Sequence, residues 1–294
     1  MLLKKDKTYI LAGATGTEIL RRGYPTKLPL WSAEILFSKP EVLVEIYRDY
    51  IRAGADIITT NTFRTQRYTL KLAGLENETE RINTLAVDLA VEARKLENAE
   101  DRVLIAASVT TLEDCYRPDL VPEDEVCVRE HSHQINLLAN LPVDFLLLET
   151  FNTIREAVIA AKIAQATNKP FVASFTANSD GEILSGESWK AAADALIPLE
   201  TAALLVNCVP PEIANRSVTK QREALKGATI PFGVYANGFG HAGSDQGWDF
   251  SKGEENSTQY VHSCEEWKQA GATLIGGCCG TTPQYTEAYA RLKK

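Results

Sequence analysis

A single-domain (β/α)8 TIM barrel spanning residues 1–294 is the fold this sequence predicts. Short, continuous apolar runs recur eight times, amphipathic stretches lie between them, and the whole series occupies the ~250 residues such a barrel needs. Runs of that kind suit strands buried on both faces, as in a parallel sheet. A length of 294 residues allows one large α/β domain or two modest ones. No Pro/Gly/Ser linker divides the chain and no internal repeat is visible. A doubly wound sheet is the competing arrangement.

The first run is Tyr9-Ile10-Leu11-Ala12, closed by Gly13. An amphipathic stretch from Glu41 leads through Gly54 to the second, residues 56–60. The third covers residues 103–109, the fourth 145–148, and the fifth 171–175. Residues 203–206, 232–235 and 273–276 complete the set. Helical patterns run from Glu80 to Leu96, Arg155 to Thr167 and Ser188 to Leu199. Thr153 with Glu156 three residues on has the form of a capping box. The loop from Asn237 to Glu255 is long and rich in Gly and Asp, which suits a cover over a site.

Composition bounds the function. Hydrophobic residues make up 45% and charged residues 24%, ordinary for a soluble globular protein. A formal net charge of −8 argues against nucleic acid or an anionic membrane as partner. No apolar stretch approaches the ~20 residues that span a bilayer. The start, Met1-Leu2-Leu3-Lys4-Lys5-Asp6-Lys7, lacks the apolar segment of a secretory leader. A cytoplasmic location is the expectation, and six cysteines in a reducing compartment are then buried thiols, metal ligands or nucleophiles rather than disulfides.

Gly276-Gly277-Cys278-Cys279-Gly280 is the sharpest local signal. Successive side chains normally diverge, and flanking glycines let the backbone turn so that both sulfurs face one point. Zn²⁺ takes thiolates tetrahedrally, and a catalytic site supplies three ligands and keeps one position open. Cys208, closing the sixth run, offers the third sulfur on the same C-terminal face of a barrel. Buried thiols with a redox-active vicinal pair remain the competing reading. Glu149 follows four apolar residues at the end of the fourth run, so it requires a hydrogen-bonding or cationic partner.

Taken in order, these segments resemble the homocysteine S-methyltransferase family. That family includes the betaine- and S-methylmethionine-dependent enzymes and the homocysteine domain of cobalamin-dependent methionine synthase. The resemblance covers essentially the whole chain. It rests on Gly13-Ala14-Thr15-Gly16-Thr17-Glu18, Leu30-Trp31-Ser32-Ala33 and residues 53–62, AGADIITTNT. It continues through Glu149-Thr150, Ser174-Phe175, Val206-Asn207-Cys208 and residues 276–283, GGCCGTTP. The resemblance implies a TIM barrel with Zn²⁺ held by Cys208, Cys278 and Cys279. A free thiol with a pKa near ~8.5 is mostly protonated at neutral pH, and zinc coordination removes that proton. The acceptor sulfur could then attack an activated methyl group without a general base.

The same resemblance makes the substrate ammonium the partner of Glu149, with a structural salt bridge to an Arg as the alternative. It places Trp31 beside the donor, where an aromatic face attracts a sulfonium or quaternary ammonium cation by ~0.5–2 kcal/mol; a loop tryptophan packed on the rim is the competing reading. Tyr235 and Asn237 resemble a donor-side loop, although Tyr235-Ala236-Asn237-Gly238 departs from the family's usual Pro-Asn form. Where the family usually carries an Asp that helps hold the substrate amino group, this chain has Ala12. Acceptor binding then leans on Glu149, backbone groups such as Gly13, and Thr60 or Asn61, or else the acceptor is a different thiol.

The expected activity is zinc-dependent methyl transfer to homocysteine, giving methionine and serving methionine biosynthesis. The partners expected are a small-molecule thiol and a methyl donor; the oligomeric state is not readable. The chain length leaves no cobalamin domain and no long C-terminal extension of the betaine type, which favours S-methylmethionine or S-adenosylmethionine as donor. A barrel that binds a thiol or zinc without turnover is the alternative from another class.

Other signals lead nowhere. Residues 238–243 match G-x-G-x-x-G, yet no apolar helix follows. His131 and His133 are two apart on a helical pattern and face different ways. His241 and His262 read as surface or packing residues. Cys115, Cys127 and Cys264 read as ordinary thiols, and Glu123-Asp124-Glu125 as a solvated helix start.

Overall fold

The computed structural model describes residues 2–242, 248–250 and 256–293. Eight parallel strands form the central sheet: β1 (Tyr9–Ile10), β2 (Ile57–Thr59), β3 (Leu104–Val109), β4 (Phe145–Phe151), β5 (Phe171–Phe175), β6 (Leu204–Asn207), β7 (Phe232–Ala236) and β10 (Leu274–Gly277). Two short antiparallel strands, β8 (His241–Ala242) and β9 (Trp248–Asp249), stand apart from it. Each of the eight coincides with an apolar run of the sequence. The sheet order is β1-β10-β7-β6-β5-β4-β3-β2. A parallel bridge between Leu11 and Ile57 closes the ring, with the Ala12 N–H donating to the Ile57 carbonyl at 2.8 Å. The fold is a (β/α)8 TIM barrel.

Strand periodicity decides what lies inside. Tyr9, Leu11, Ile57, Ala106, Phe145, Leu147, Val172, Leu205 and Leu274 form one buried cluster, which fills the barrel. Their neighbours Ile10, Ile58, Ile105, Leu146, Leu148, Ala173, Val206 and Ile275 belong to the larger layer shared with the helices. Extending the inward parity by two residues places Ser108, Glu149, Ser174, Asn207 and Tyr235 at the C-terminal mouth.

The surrounding helices form by the same accounting. In Glu41–Arg52 the buried positions are Leu43, Val44, Ile46, Tyr47, Tyr50 and Ile51, one stripe at helical spacing. The helices Thr79–Leu96 and Ile154–Ala166 start one residue before their sequence-expected limits, and Trp189–Leu196 runs into a 3-10 turn over Ile197–Leu199. At Thr153 half of the capping box forms: the hydroxyl accepts from the Glu156 N–H at 3.3 Å. The Glu156 side chain does not return to the cap. It is buried and accepts from the Leu112 N–H at 3.0 Å, with His131 Nε2 at 2.9 Å.

Most of the Gly- and Asp-rich segment read as a cover, including residues 243–247 and 251–255, lies outside the described residues. No described helix is long and apolar enough to cross a membrane.

Candidate metal centre and buried carboxylate

Two strand ends deliver the sulfurs. Cys208 follows β6 in a left-handed conformation, φ 58°, rare for a residue with a Cβ. Its N–H donates to the Tyr235 carbonyl at 3.2 Å. Cys278 and Cys279 follow β10, where the chain turns through Gly280 at φ 77°. A Cβ on Gly280 would stand 2.0 Å from the Phe239 carbonyl oxygen, so only glycine closes this turn. The turn is anchored by Cys278 N–H to the Ala236 carbonyl at 2.7 Å, Gly238 N–H to the Cys279 carbonyl at 2.8 Å, and Gly280 N–H to the Thr17 hydroxyl at 2.9 Å.

The three sulfurs lie within 4.8 Å of one another, the one such group of three metal-competent side chains found among the described residues. Cys208 and Cys279 Sγ are 3.8 Å apart. Thiolates about 2.3 Å from a tetrahedral zinc stand roughly 3.8 Å apart, so the spacing fits a zinc ion. The thiol groups of Cys208 and Cys279 are held well above their ordinary value of 9.0 by proton sharing, with Cys278 and Cys208 respectively, and burial adds to it. A cation entering the cluster would displace those protons.

Glu149 sits in β4 at an irregularity. Leu148 pairs with Ala173 and Phe151 with Phe175, so Glu149 and Thr150 together oppose the single residue Ser174. Strand parity from Phe145 and Leu147 already points the Glu149 carboxylate into the mouth, and the bulge shifts the parity after it, so that Phe151 packs in the outer layer. Thr150 adopts φ 59°, and Asn207 holds it. The Thr150 N–H donates to Asn207 Oδ1 at 3.1 Å, and Asn207 Nδ2 donates to the Thr150 hydroxyl at 2.7 Å. Ser174 also donates to Asn207 Oδ1, at 2.6 Å.

Glu149 is 9% exposed. The Ser108 hydroxyl donates to one of its oxygens and the Tyr235 hydroxyl to the other, at 3.1 Å. Burial raises its pKa above the ordinary 4.5, and those two donors pull it back. No Arg or Lys pairs with it among the described residues, so the salt-bridge alternative finds no partner there. Tyr235, read from sequence as part of a donor-side loop, lies on this carboxylate and packs in one cluster with Cys278.

The remaining candidates are distributed around the rim. The Thr60 hydroxyl is shared with Thr62 at 2.8 Å and accepts from the Ser108 N–H at 3.2 Å. Asn61 grips Ser32: its Oδ1 accepts from the hydroxyl at 2.6 Å and its Nδ2 donates to the carbonyl at 2.8 Å. That clamp holds the turn bearing Trp31, whose indole lies against Gly16. A Cβ on Gly13 would stand 2.7 Å from the Thr281 hydroxyl and 2.9 Å from Tyr50, so close packing requires this glycine. The Ala12 methyl packs against the outer apolar layer. The Asn237 N–H donates to the Val209 carbonyl at 2.8 Å, and its Oδ1 is buried without a partner among the described residues.

Cys115, Cys127 and Cys264 are buried, free and outside the sulfur cluster. Burial pushes the Cys115 and Cys127 thiols up to about 12. His241 and His262 lie at the surface, 3.8 Å from Asp249 and 3.4 Å from Glu266. No local pattern marks Tyr116, whose hydroxyl reaches Cys208 from the loop after β3. Ser108 and Asn207 could have been found from inward strand parity alone.

Comparison with known proteins agrees with this geometry. The profile of the homocysteine S-methyltransferase family matches residues 9–292. Homocysteine S-methyltransferase 2 of Zea mays is 31% identical, over 96% of this chain and 88% of its own. A selenocysteine methyltransferase of Astragalus bisulcatus is 29% identical, over 96% of this chain and 91% of its own. The metallated form of the Escherichia coli homocysteine methyltransferase MmuM superposes with a TM-score of 0.82 at 28% identity, covering 98% of this chain and 97% of that one.

Proposed function

This chain belongs to the homocysteine S-methyltransferase family, and from that premise we propose that it methylates the thiol of homocysteine from a sulfonium donor, using zinc held by Cys208, Cys278 and Cys279. It is an S-methyltransferase. The observation that carries the finer reading is a cluster of three sulfurs within 4.8 Å and a buried carboxylate that has two hydroxyl donors and no cationic side chain on it among the described residues.

Each part of the site has a task. Zinc in the cysteine cluster supplies a way to hold the acceptor sulfur deprotonated at neutral pH. Glu149 binds the acceptor's ammonium, and its burial strengthens that attraction. Ser108 and Tyr235 fix the carboxylate's orientation. Trp31, steadied by the Asn61–Ser32 clamp, offers an aromatic face to a cationic donor. In the transfer, the acceptor sulfur's lone pair forms the new S–CH3 bond as the donor's C–S⁺ bond breaks. The donor leaves as a neutral thioether, and the acceptor becomes methionine. The proposed partners are therefore a small thiol and S-methylmethionine or S-adenosylmethionine.

A second acceptor, which carries the same ammonium group for Glu149, is to be tested alongside homocysteine. One relative is named a selenocysteine methyltransferase, so a selenol is that candidate. Zinc-loaded protein incubated with homocysteine and each donor should form methionine. Absence of product with either donor would overturn the homocysteine reading. Selenocysteine in place of homocysteine tests the second.

A further inference from the structure

The loop following β3 ends on a side chain to which the methyl-transfer reading gives no role. The Tyr116 hydroxyl lies 3.1 Å from Cys208 Sγ and 3.0 Å from the Cys208 carbonyl oxygen. The residue is 42% exposed while its hydroxyl turns inward to Cys208, so the aromatic body covers the outer side of the centre.

That placement is built rather than a surface rotamer. The Leu112 N–H donates to buried Glu156 at 3.0 Å, and Gln66 Nε2 donates to the Thr111 carbonyl at 3.2 Å. Asn152 Nδ2 donates to the Asp114 carbonyl at 3.2 Å, and the Tyr116 N–H donates to Asp114 Oδ1 at 2.8 Å. Three anchors from other segments, with one bond inside the loop, therefore fix the approach of one hydroxyl to one sulfur.

We propose that Tyr116 is a positioning residue of the metal centre, donating a hydrogen bond from its hydroxyl to the Cys208 sulfur. The proposal rests on the three-cysteine reading. Two consequences follow from the chemistry of thiolates. A donor on the sulfur, together with the adjacent carbonyl, braces Cys208 in its left-handed conformation. Partners of this kind around metal ligands orient them and tune their charge. The hydrogen bond also draws electron density from the Cys208 thiolate. Any ligand thiolate competes with the acceptor for the donor's methyl group, and a quenched one competes less.

Cobalt(II) substituted for zinc provides the test, since thiolate-to-cobalt charge transfer reports the ligand sulfurs directly. Tyr116→Phe keeps the ring and removes only the hydroxyl. The charge-transfer band should move to lower energy in the variant, and zinc affinity measured by chelator competition should fall about tenfold. An unchanged band in Tyr116→Phe overturns the proposal whatever the affinity does. Wild-type protein with no thiolate band at all would overturn the three-cysteine reading itself, and this proposal with it.

Discussion

The Tyr235 hydroxyl donates to the Glu149 carboxylate across 3.1 Å, linking the seventh strand to the bulge of the fourth at the mouth of the barrel. With Ser108 on the other oxygen, the carboxylate is oriented, yet no cationic side chain among the described residues pairs with it. A ligand ammonium completes such a site. Glu149→Gln preserves shape and hydrogen-bonding reach while removing the charge. Homocysteine binding, measured by calorimetry on the zinc-loaded protein, should weaken by about 1.5–3 kcal/mol. Zinc content should not change. Wild-type affinity in the variant would mean that Glu149 serves the barrel and not the ligand.

The pH dependence has a fixed sign. Burial holds the folded-state pKa of Glu149 above the ordinary 4.5 it has in the unfolded chain. Its contribution to stability is therefore full below the unfolded value and is lost as pH rises through the folded one. In metal-free protein, the melting temperature of wild type should fall relative to Glu149→Gln as pH is raised from below 4.5 through the folded value. Subtracting the variant removes the cysteines, which titrate in both. Homocysteine affinity should move oppositely in that window, rising as the carboxylate ionises. A melting difference that stays flat across the range would contradict the raised pKa.

Much of this architecture was legible beforehand, for identifiable physical reasons. Runs such as Phe145-Leu146-Leu147-Leu148 are apolar on both faces because the barrel interior and the helix layer both exclude water. Cys278 and Cys279 were legible because glycines flank them. The bulge at Glu149 and Thr150 was not, because the group that holds it, Asn207, lies 57 residues away. Tyr116 escaped for the same reason, being 92 residues from the sulfur it touches. Glu156 misled in another way: its helix-start position suggested a cap, while burial turned its carboxylate to His131 and Leu112. Local pattern reports which face an element buries, and long-range polar pairs are invisible to it.

Removing one sulfur should abolish the metal centre. In Cys208→Ala the remaining pair, Cys278 and Cys279, offers two adjacent ligands, too few for a three-thiolate zinc site. Metal analysis after dialysis should show near-complete loss of zinc, and activity should vanish with it. The fold should persist, since Cys208 contributes one side chain at the rim. Zinc content equal to wild type would remove Cys208 from the ligand set.

Asn61 gives the most discriminating test of the donor side. Its amide makes two hydrogen bonds to Ser32, at 2.6 and 2.8 Å, and both residues are buried. Trp31 sits immediately before that serine, in a turn that packs its indole on Gly16. In Asn61→Ala the serine's hydroxyl and carbonyl lose their partners while remaining away from water. Leaving such groups unsatisfied costs about 1–3 kcal/mol, so the melting temperature should fall. The turn would also loosen, and the indole would no longer be held for a cation. The KM for the sulfonium donor should therefore rise several-fold while the affinity for homocysteine, which we assign to Glu149, stays near wild type. Trp31→Phe separates the two effects: it keeps the clamp and an aromatic face, so stability should hold while donor KM rises modestly, the smaller ring attracting cations less than indole does. Donor KM unchanged in both variants would place the donor elsewhere and leave Asn61 as a brace for the rim alone.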